Sequence, residues 1–228
     1  MHNKKKIAIF DLDYTILKID TTQIYVKEII KIYPLYLFYI PKIIIYGILN
    51  ILNIVSRTRL KEILYAPIRK LSEEQIKELA ENITKKSILK IKKEALEHIK
   101  DLQKEEYEII LASASPEFYI KEIAEFLKIK YFVGTKVDIT EREVKITGLN
   151  CKSEEKVKRI KEIIDLSTID LENSRAYSDS YSDMPILTLV GKGHMVHRKK
   201  WRFKKWKRKE MEIKNQKEEI SVIEEEKL

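Results

Sequence analysis

The chain has 228 residues, enough for one α/β domain with a sizeable insertion and too few for two full enzymatic domains. Its single cysteine, Cys151, excludes an intramolecular disulfide, and the apolar run that follows Lys4, Lys5 and Lys6 ends at Phe10, too soon for a secretory segment, so a cytoplasmic protein is expected. The formal net charge of +9 suggests an anionic partner, but Lys and Ile are abundant throughout, so overall basicity discriminates little.

Residues 7–10 are apolar without helical period and end at Asp11, the pattern of a strand buried on both faces in a parallel sheet. Residues 32–55 carry one charge, Lys42, among many Ile, Leu and Tyr residues, with Pro34 and Pro41 near the start. By length this segment is a membrane-crossing candidate. A single crossing, however, would separate Asp11 from the later strands of the same sheet, so the segment is read as part of a helical cap. Apolar residues at three- and four-residue spacing predict helices over 73–103, 116–128 and 153–164. A second strand is predicted at 107–112 and a weaker third at 176–178. Alternation over 137–147, broken at Glu141 and Arg142, predicts a hairpin forming a flap on the sheet edge. In residues 198–209, nine of twelve are Lys or Arg and the others are Trp201, Phe203 and Trp206. Beyond Met211 the chain reads as a solvated helix or a disordered tail. Strand–helix alternation implies an α/β, doubly wound parallel sheet. The expected division is a catalytic core of 1–20 and 93–197, an apolar helical cap of 21–92, and a basic-aromatic stretch with a charged tail from 198 to 228.

Asp11-Leu12-Asp13-Tyr14-Thr15 follows the first strand, where open α/β sheets bind ligands; taken alone, a turn explains the pattern equally well. Two carboxylates one residue apart can divide the labour of phosphoryl transfer, Asp11 attacking phosphorus while Asp13 handles the proton of the leaving oxygen and then of water. Adjacent carboxylates repel an anionic substrate unless a cation is present, which points to Mg²⁺. Asp179 and Asp183 follow the third apolar run, Asp179 as a metal ligand and Asp183 behind it, orienting Asp179 or pairing with a lysine; an Asp/Ser helix cap before Met184 is the competing reading. Ser113 ends the second strand ahead of a helix that Ser115 can cap and Pro116 can start, a place for phosphate oxygens or a simple cap. Lys156 has little signal of its own in so lysine-rich a chain.

In order, these segments resemble the four motifs of the haloacid dehalogenase superfamily: Asp-x-Asp-x-Thr, a strand ending in Ser, a Lys at a helix start, and Asp-x-x-x-Asp-x-Pro. The phrase Ser178-Asp179-Ser180…Asp183-Met184-Pro185 and the Cys151…Lys156 spacing are similar to the phosphoserine-phosphatase-like IB branch. The resemblance implies a Rossmann-like core with the cap inserted between motifs one and two. It also implies Asp11 as nucleophile, Asp13 as acid and base, Thr15 and Ser113 as phosphate holders, and Lys156 as the neutralising cation. Mg²⁺ would be held by Asp11, Asp179 and the Asp13 backbone carbonyl, with help from Asp183. Asp20 matches an acidic position facing substrate, and Arg57 and Arg59 could clamp a substrate carboxylate or remain solvated charges. Tyr14 stands where the family usually has a small residue, and His197 where this branch often has Asn before Pro.

The apolar cap is similar to that of C-type phosphatidylglycerophosphatases, and with the basic stretch it suggests a lipid phosphomonoester at the inner face of the cytoplasmic membrane, with 32–55 and 198–209 contacting an anionic surface. A soluble phosphatase for phosphoserine or another small metabolite is the alternative, with the cap's apolar face packed inward. Nucleic-acid binding through 198–209, with Trp201 and Trp206 stacking on bases, ranks last because the expected catalytic residues are all present.

Overall fold

The computed structural model describes residues 4–205. Strand β1 (Lys6–Phe10) lies inside the sheet, and its alternate side chains enter two separate cores. Ile7 and Ile9 pack with Ile110, Ala112 and Ala176, whereas Ala8 and Phe10 pack with Ile109, Leu111 and Tyr177. Burial of both faces explains why the strand is a continuous apolar run rather than an alternating one.

After β1 the chain makes a tight loop and enters a helical insertion. Its helices are α1 (Thr21–Ile32), a 3-10 turn (Pro34–Tyr39), α2 (Ile40–Ile51), α3 (Arg57–Tyr65), a second 3-10 turn (Ala66–Lys70) and α4 (Glu73–Ile88). Helix α5 (Lys93–Lys104) leads to β2 (Tyr107–Pro116), followed by α6 (Glu117–Phe126), β3 (Tyr131–Thr135), β4 (Val137–Ile139) and β5 (Val144–Ile146). Then come α7 (Glu154–Ile163), β6 (Arg175–Ser178), α8 (Met184–Leu189), β7 (Lys192–Val196) and β8 (Phe203–Lys205). The main sheet runs β3-β2-β1-β6-β7-β8, parallel except for β8 at the edge. From β1 the chain winds outward to β3 and then returns to β6 on the other side, so the crevice between the ends of β1 and β6 is the switch point of the sheet.

The doubly wound sheet and all three predicted strands are present, but several local expectations need correction. The helix read over 73–103 is two helices. At the break, Lys18 N–H donates to the Lys90 carbonyl and Lys92 N–H to the Ile16 carbonyl, both at 2.9 Å. Those bonds tie the end of the insertion to its start, and the helical ladder stops where the backbone makes them instead. Residues 137–147 do form a hairpin, yet β4 and β5 are a separate two-stranded sheet packed on α3, not a flap on the main sheet. Strands β3 and β7, not foreseen, complete the parallel sheet. Part of the basic-aromatic stretch is strand β8, and Trp201 stacks on Tyr177 at 6.1 Å between ring centroids. Trp206, the remaining basic residues to Lys209 and the charged tail lie outside the described residues.

The apolar segment is divided. Tyr36 joins Ile24, Tyr25 and Ile29 of α1 in the core, but α2 has no buried residue. Pro34–Ile51 is long and apolar enough by composition to cross a membrane, with a mean hydropathy of 1.5, and only 6% of it is buried. It cannot be a single crossing, because β1 before it pairs with β2 and β6 after it. The expectation that a soluble enzyme would pack this face inward is not met: Phe38 and Ile51 are each 80% exposed.

Gly191 precedes β7 where the chain passes close to another loop, and a Cβ added there would meet the Glu172 carbonyl oxygen at 2.0 Å. Gly191→Ala is expected to cost about 1–3 kcal/mol through that backbone overlap, read as a lower midpoint of urea unfolding.

Candidate active site

Asp11 is the first residue beyond β1, and its N–H donates to the Tyr177 carbonyl of β6 at 2.9 Å, which fixes it over the switch point. Tyr14 then takes a left-handed conformation with φ 57°, uncommon for a bulky side chain, and this sharp turn returns Thr15 beneath Asp11. The Thr15 hydroxyl donates to Asp11 Oδ2 at 3.1 Å and accepts from Asp179 N–H at 2.9 Å. It therefore joins the two loops that carry the facing carboxylates.

Lys156, in the first turn of α7, is 1% exposed. Its Nζ donates to Asp11 Oδ1 at 2.7 Å and to Asp183 Oδ2 at 2.6 Å. The Ser178 hydroxyl holds the same Asp183 oxygen at 2.7 Å. Burial disfavours the lysine's charge, but Asp11 and Asp183 outweigh it and keep the ammonium above its ordinary value. Burial pushes Asp11 up to about 7 against the pull of Lys156, with Asp183 and Asp179 adding repulsion. Asp179 is raised by burial too, opposed by Arg198, whose Nε donates to its Oδ2 at 2.7 Å.

Asp13 is held differently. Its Oδ1 accepts from Thr21 N–H at 2.8 Å, and its Oδ2 accepts from the Ser115 hydroxyl at 3.1 Å. Burial, then repulsion from Asp20 and Asp11, pushes it up to about 7. A carboxyl near neutrality can both donate and accept a proton at neutral pH.

Asp11, Asp13, Asp20, Arg57, Lys156, Asp179 and Asp183 all line one open cavity of about 340 Å³ over these strand ends. Thr15 and Ser113 lie buried outside its lining. Arg59 is not brought there: it pairs with Glu62 at 3.0 Å, while Arg57, two positions earlier on α3, lines the cavity. Asp20 caps α1 by accepting from Thr22 N–H at 2.7 Å. Sequence reasoning missed Thr21, which anchors Asp13, and Lys92, whose Nζ donates to the Tyr14 carbonyl under the turn. It also missed Lys61 of α3, which lines the cavity. A signal existed for Lys156, since a lysine in the first turn of a helix opposes the macrodipole and so needs another reason to be there.

Among the described residues, no three His, Cys, Asp or Glu side chains are grouped to hold a metal ion. A Mg²⁺ site here rests instead on two carboxylates and a backbone oxygen. The donors fit: all are hard oxygens, and Asp11 and Asp179, joined through Thr15, face one cavity, with burial raising both carboxylates against the pull of Lys156 and Arg198.

The haloacid dehalogenase-like hydrolase family model matches residues 8–188. The chain belongs to that family of hydrolases. Among solved structures, a protein of unknown function from Bordetella pertussis Tohama I has a TM-score of 0.71 at 17% identity, over 84% of this chain and 89% of that one. Phosphoserine phosphatase in its apo form has a TM-score of 0.58 at 19% identity, over 83% of this chain and 85% of that one. A phosphoserine phosphohydrolase-like protein from Francisella tularensis subsp. tularensis SCHU S4 has a TM-score of 0.58 at 19% identity, covering 85% and 88%. No curated protein sequence matches.

Removing one member of a buried ion pair leaves the other charge uncompensated. Lys156→Met is expected to lower stability by about 3–5 kcal/mol in urea unfolding. Lys104→Met, which breaks an exposed pair with Asp101, should leave the midpoint unchanged.

Proposed function

We propose that the chain is a Mg²⁺-dependent phosphomonoesterase with Asp11 as nucleophile and Asp13 as general acid and base. The observation that carries this reading is the bridge from Lys156 to Asp11 and Asp183, at 2.7 and 2.6 Å, beneath a cavity whose second carboxylate, Asp13, is pushed up to about 7. A carboxylate aimed by a lysine is an oriented nucleophile, and a near-neutral carboxyl beside it is a proton carrier.

In the first step Asp11 attacks phosphorus, the bond to the ester oxygen breaks, and Asp13 protonates the departing alkoxide. In the second, Asp13 takes a proton from water as its oxygen attacks the phosphoaspartate. The phosphorus–oxygen bond to Asp11 then breaks, releasing inorganic phosphate. Lys156 neutralises charge on Asp11 and the phosphoryl oxygens. The family resemblance gives Ser113 the phosphate-holding role, which requires its hydroxyl, buried just outside the cavity lining, to reach the phosphate, while Thr15 acts mainly by fixing Asp11. Asp11, Asp179 and the Asp13 backbone carbonyl would hold Mg²⁺, which would supply positive charge for a dianionic phosphate to approach. Asp183 supports the site through Lys156 and Ser178. The fold shared with phosphoserine phosphatase is consistent with this chemistry.

The finer reading is a lipid phosphomonoester, such as phosphatidylglycerophosphate, met at the inner face of the cytoplasmic membrane. Its support is the exposed face of the insertion: among the described residues, nine of the fourteen large exposed apolar side chains lie between Leu35 and Ile54. A face of that extent is more than scattered surface leucines produce. At roughly 25 cal/mol per Å² of apolar surface removed from water, placing it in the interface contributes several kcal/mol. Asn50 and Arg57 line the cavity beside this face, so a headgroup can enter while acyl chains stay in lipid. Trp201 contributes less than its type suggests, because its ring packs on Tyr177. Phosphoserine or another soluble metabolite remains the alternative substrate.

Asp11→Asn is expected to abolish hydrolysis of p-nitrophenyl phosphate without unfolding the chain, and EDTA to stop the wild type until Mg²⁺ is restored. Turnover by Asp11→Asn above a mock preparation would end the phosphoaspartate reading, and EDTA-resistant activity the metal reading. For the lipid, wild-type protein should sediment with anionic liposomes more than with neutral ones, and the triple change Ile44→Ser, Ile48→Ser, Ile51→Ser should release it while sparing p-nitrophenyl phosphate hydrolysis. Negligible binding to both liposome types, with phosphoserine turned over faster than any lipid phosphate, would replace this substrate by the soluble one.

A further inference from the structure

Lys61 lies on α3, one turn beyond Arg57, and reaches out of the helical insertion onto the sheet side of the cavity. Its Nζ donates to the Ala114 carbonyl at 2.6 Å and to Asn150 Oδ1 at 2.7 Å. The Thr135 hydroxyl, at the end of β3, approaches the same two oxygens at 2.6 and 3.0 Å, and having one proton it serves the nearer, Ala114. Thr135 is itself fixed by Cys151 N–H at 3.1 Å. Two donors, one from the insertion and one from the sheet, thus converge on a single carbonyl in the irregular end of β2 just past Ser113.

The carbonyl and N–H of one trans peptide point in opposite directions. With the Ala114 carbonyl held towards Lys61 and Thr135, the N–H of the same peptide, that of Ser115, is turned the other way and donates to Ser113 Oγ at 3.1 Å. Ser113 Oγ accepts in that bond, so its own proton is left to donate. The Ser115 side chain meanwhile reaches Asp13 Oδ2 at 3.1 Å. The orientation of this one peptide therefore bears on both the phosphate-holding serine and the anchoring of the proton carrier.

A packing role alone does not need a charge here. Burial pushes Lys61 down to about 8, only partly countered by Asp13 and Asp20, and among the described residues it forms no ion pair with a carboxylate. Apolar residues of similar size would bridge the two layers without that cost. What the ammonium adds is directed donation to two acceptors.

We propose that Lys61 is a positioning residue, through which closure of the helical insertion over the sheet sets the Ala114–Ser115 peptide and makes the Ser113 hydroxyl a phosphate donor. This rests on the phosphate-holding role given to Ser113 above. A substrate that draws the insertion down completes the strand end that grips its phosphate, whereas an open insertion leaves that strand end to Thr135 alone.

The test is a double-mutant cycle on the full-length protein with Mg²⁺ present, read by calorimetric affinity for inorganic phosphate and by kcat and KM for p-nitrophenyl phosphate. Lys61→Met is expected to weaken phosphate binding about tenfold, the loss of one charge-assisted contact acting through Ser113. In a Ser113→Ala background the same change should have little further effect. Lys61→Cys should show the same loss and regain affinity once alkylated with 2-bromoethylamine, which rebuilds a lysine-length ammonium. Cys151, the other thiol, is buried and pushed up to about 12, so it resists the reagent. An undiminished Lys61→Met penalty in the Ser113→Ala background, or unchanged phosphate affinity with only a lower unfolding midpoint, would overturn the proposal. Wild-type protein that binds phosphate with the expected cycle yet hydrolyses no phosphomonoester would overturn the proposed function and leave the positioning role standing.

Discussion

Lys156 and its two carboxylates form the contact on which the rest of the site depends. Three charges buried this deeply are each costly alone, and they are tolerated because the ammonium bonds both carboxylates while Thr15 and Ser178 hydroxyls hold Asp11 Oδ2 and Asp183 Oδ2. The arrangement draws on three parts of the chain: the end of β1 for Asp11, the first turn of α7 for Lys156, and the loop after β6 for Asp183. If the parallel register of β1 with β6 slipped by one residue, Asp11 would face away from both partners. The demand for charge compensation therefore reaches back into the sheet, where the apolar runs on both sides of β1 hold that register.

Around this centre the carboxylates are sorted by what anchors them. Asp183 lines the cavity, but its Oδ2 is taken by both Lys156 and Ser178, which makes it a structural partner of the lysine. Asp13 is anchored by Thr21 and Ser115, one from the first turn of the insertion and one from the end of β2, so its environment responds to how the insertion sits on the sheet. Lys61 makes a second connection of this kind, through the Ala114 carbonyl next to Ser115. Two links between insertion and catalytic segments, both made by hydrogen bonds, are a mechanical reason for the insertion to matter to the chemistry and not only to substrate choice.

The exposed face of α2 stands apart from this economy of partners. Helix α1 and Tyr36 use the core, and α4 packs on both α1 and α6, but α2 touches mainly the adjoining 3-10 turn and α3 and leaves its apolar side chains to the outside. Only Ile40 and Ile43 of α2 pack partly against the core, and the face proposed above to meet lipid lies beside Asn50 and Arg57 of the cavity.

The sequence by itself determined the parts that depend on neighbours along the chain. The runs ending at Asp11 and near Ser113 and Ser178 were legible as strands because burial on both faces leaves no polar alternation, and the carboxylates just past β1 and β6 were legible because strand ends are where an open sheet exposes loops. The family motifs marked Lys156, which composition hid among many lysines. The tertiary structure decided everything that depends on direction across space. Arg57 enters the cavity while Arg59 pairs with Glu62, a distinction between two exposed-looking arginines set by the rotation of α3. Thr15 ties Asp11 to Asp179, and Lys61 and Lys92 meet residues 53 and 78 positions away in sequence, each through a contact that no local period encodes. The break between α4 and α5 arises for the same reason, because the bonds that end the helix are made to residues 16 and 18, across the whole insertion.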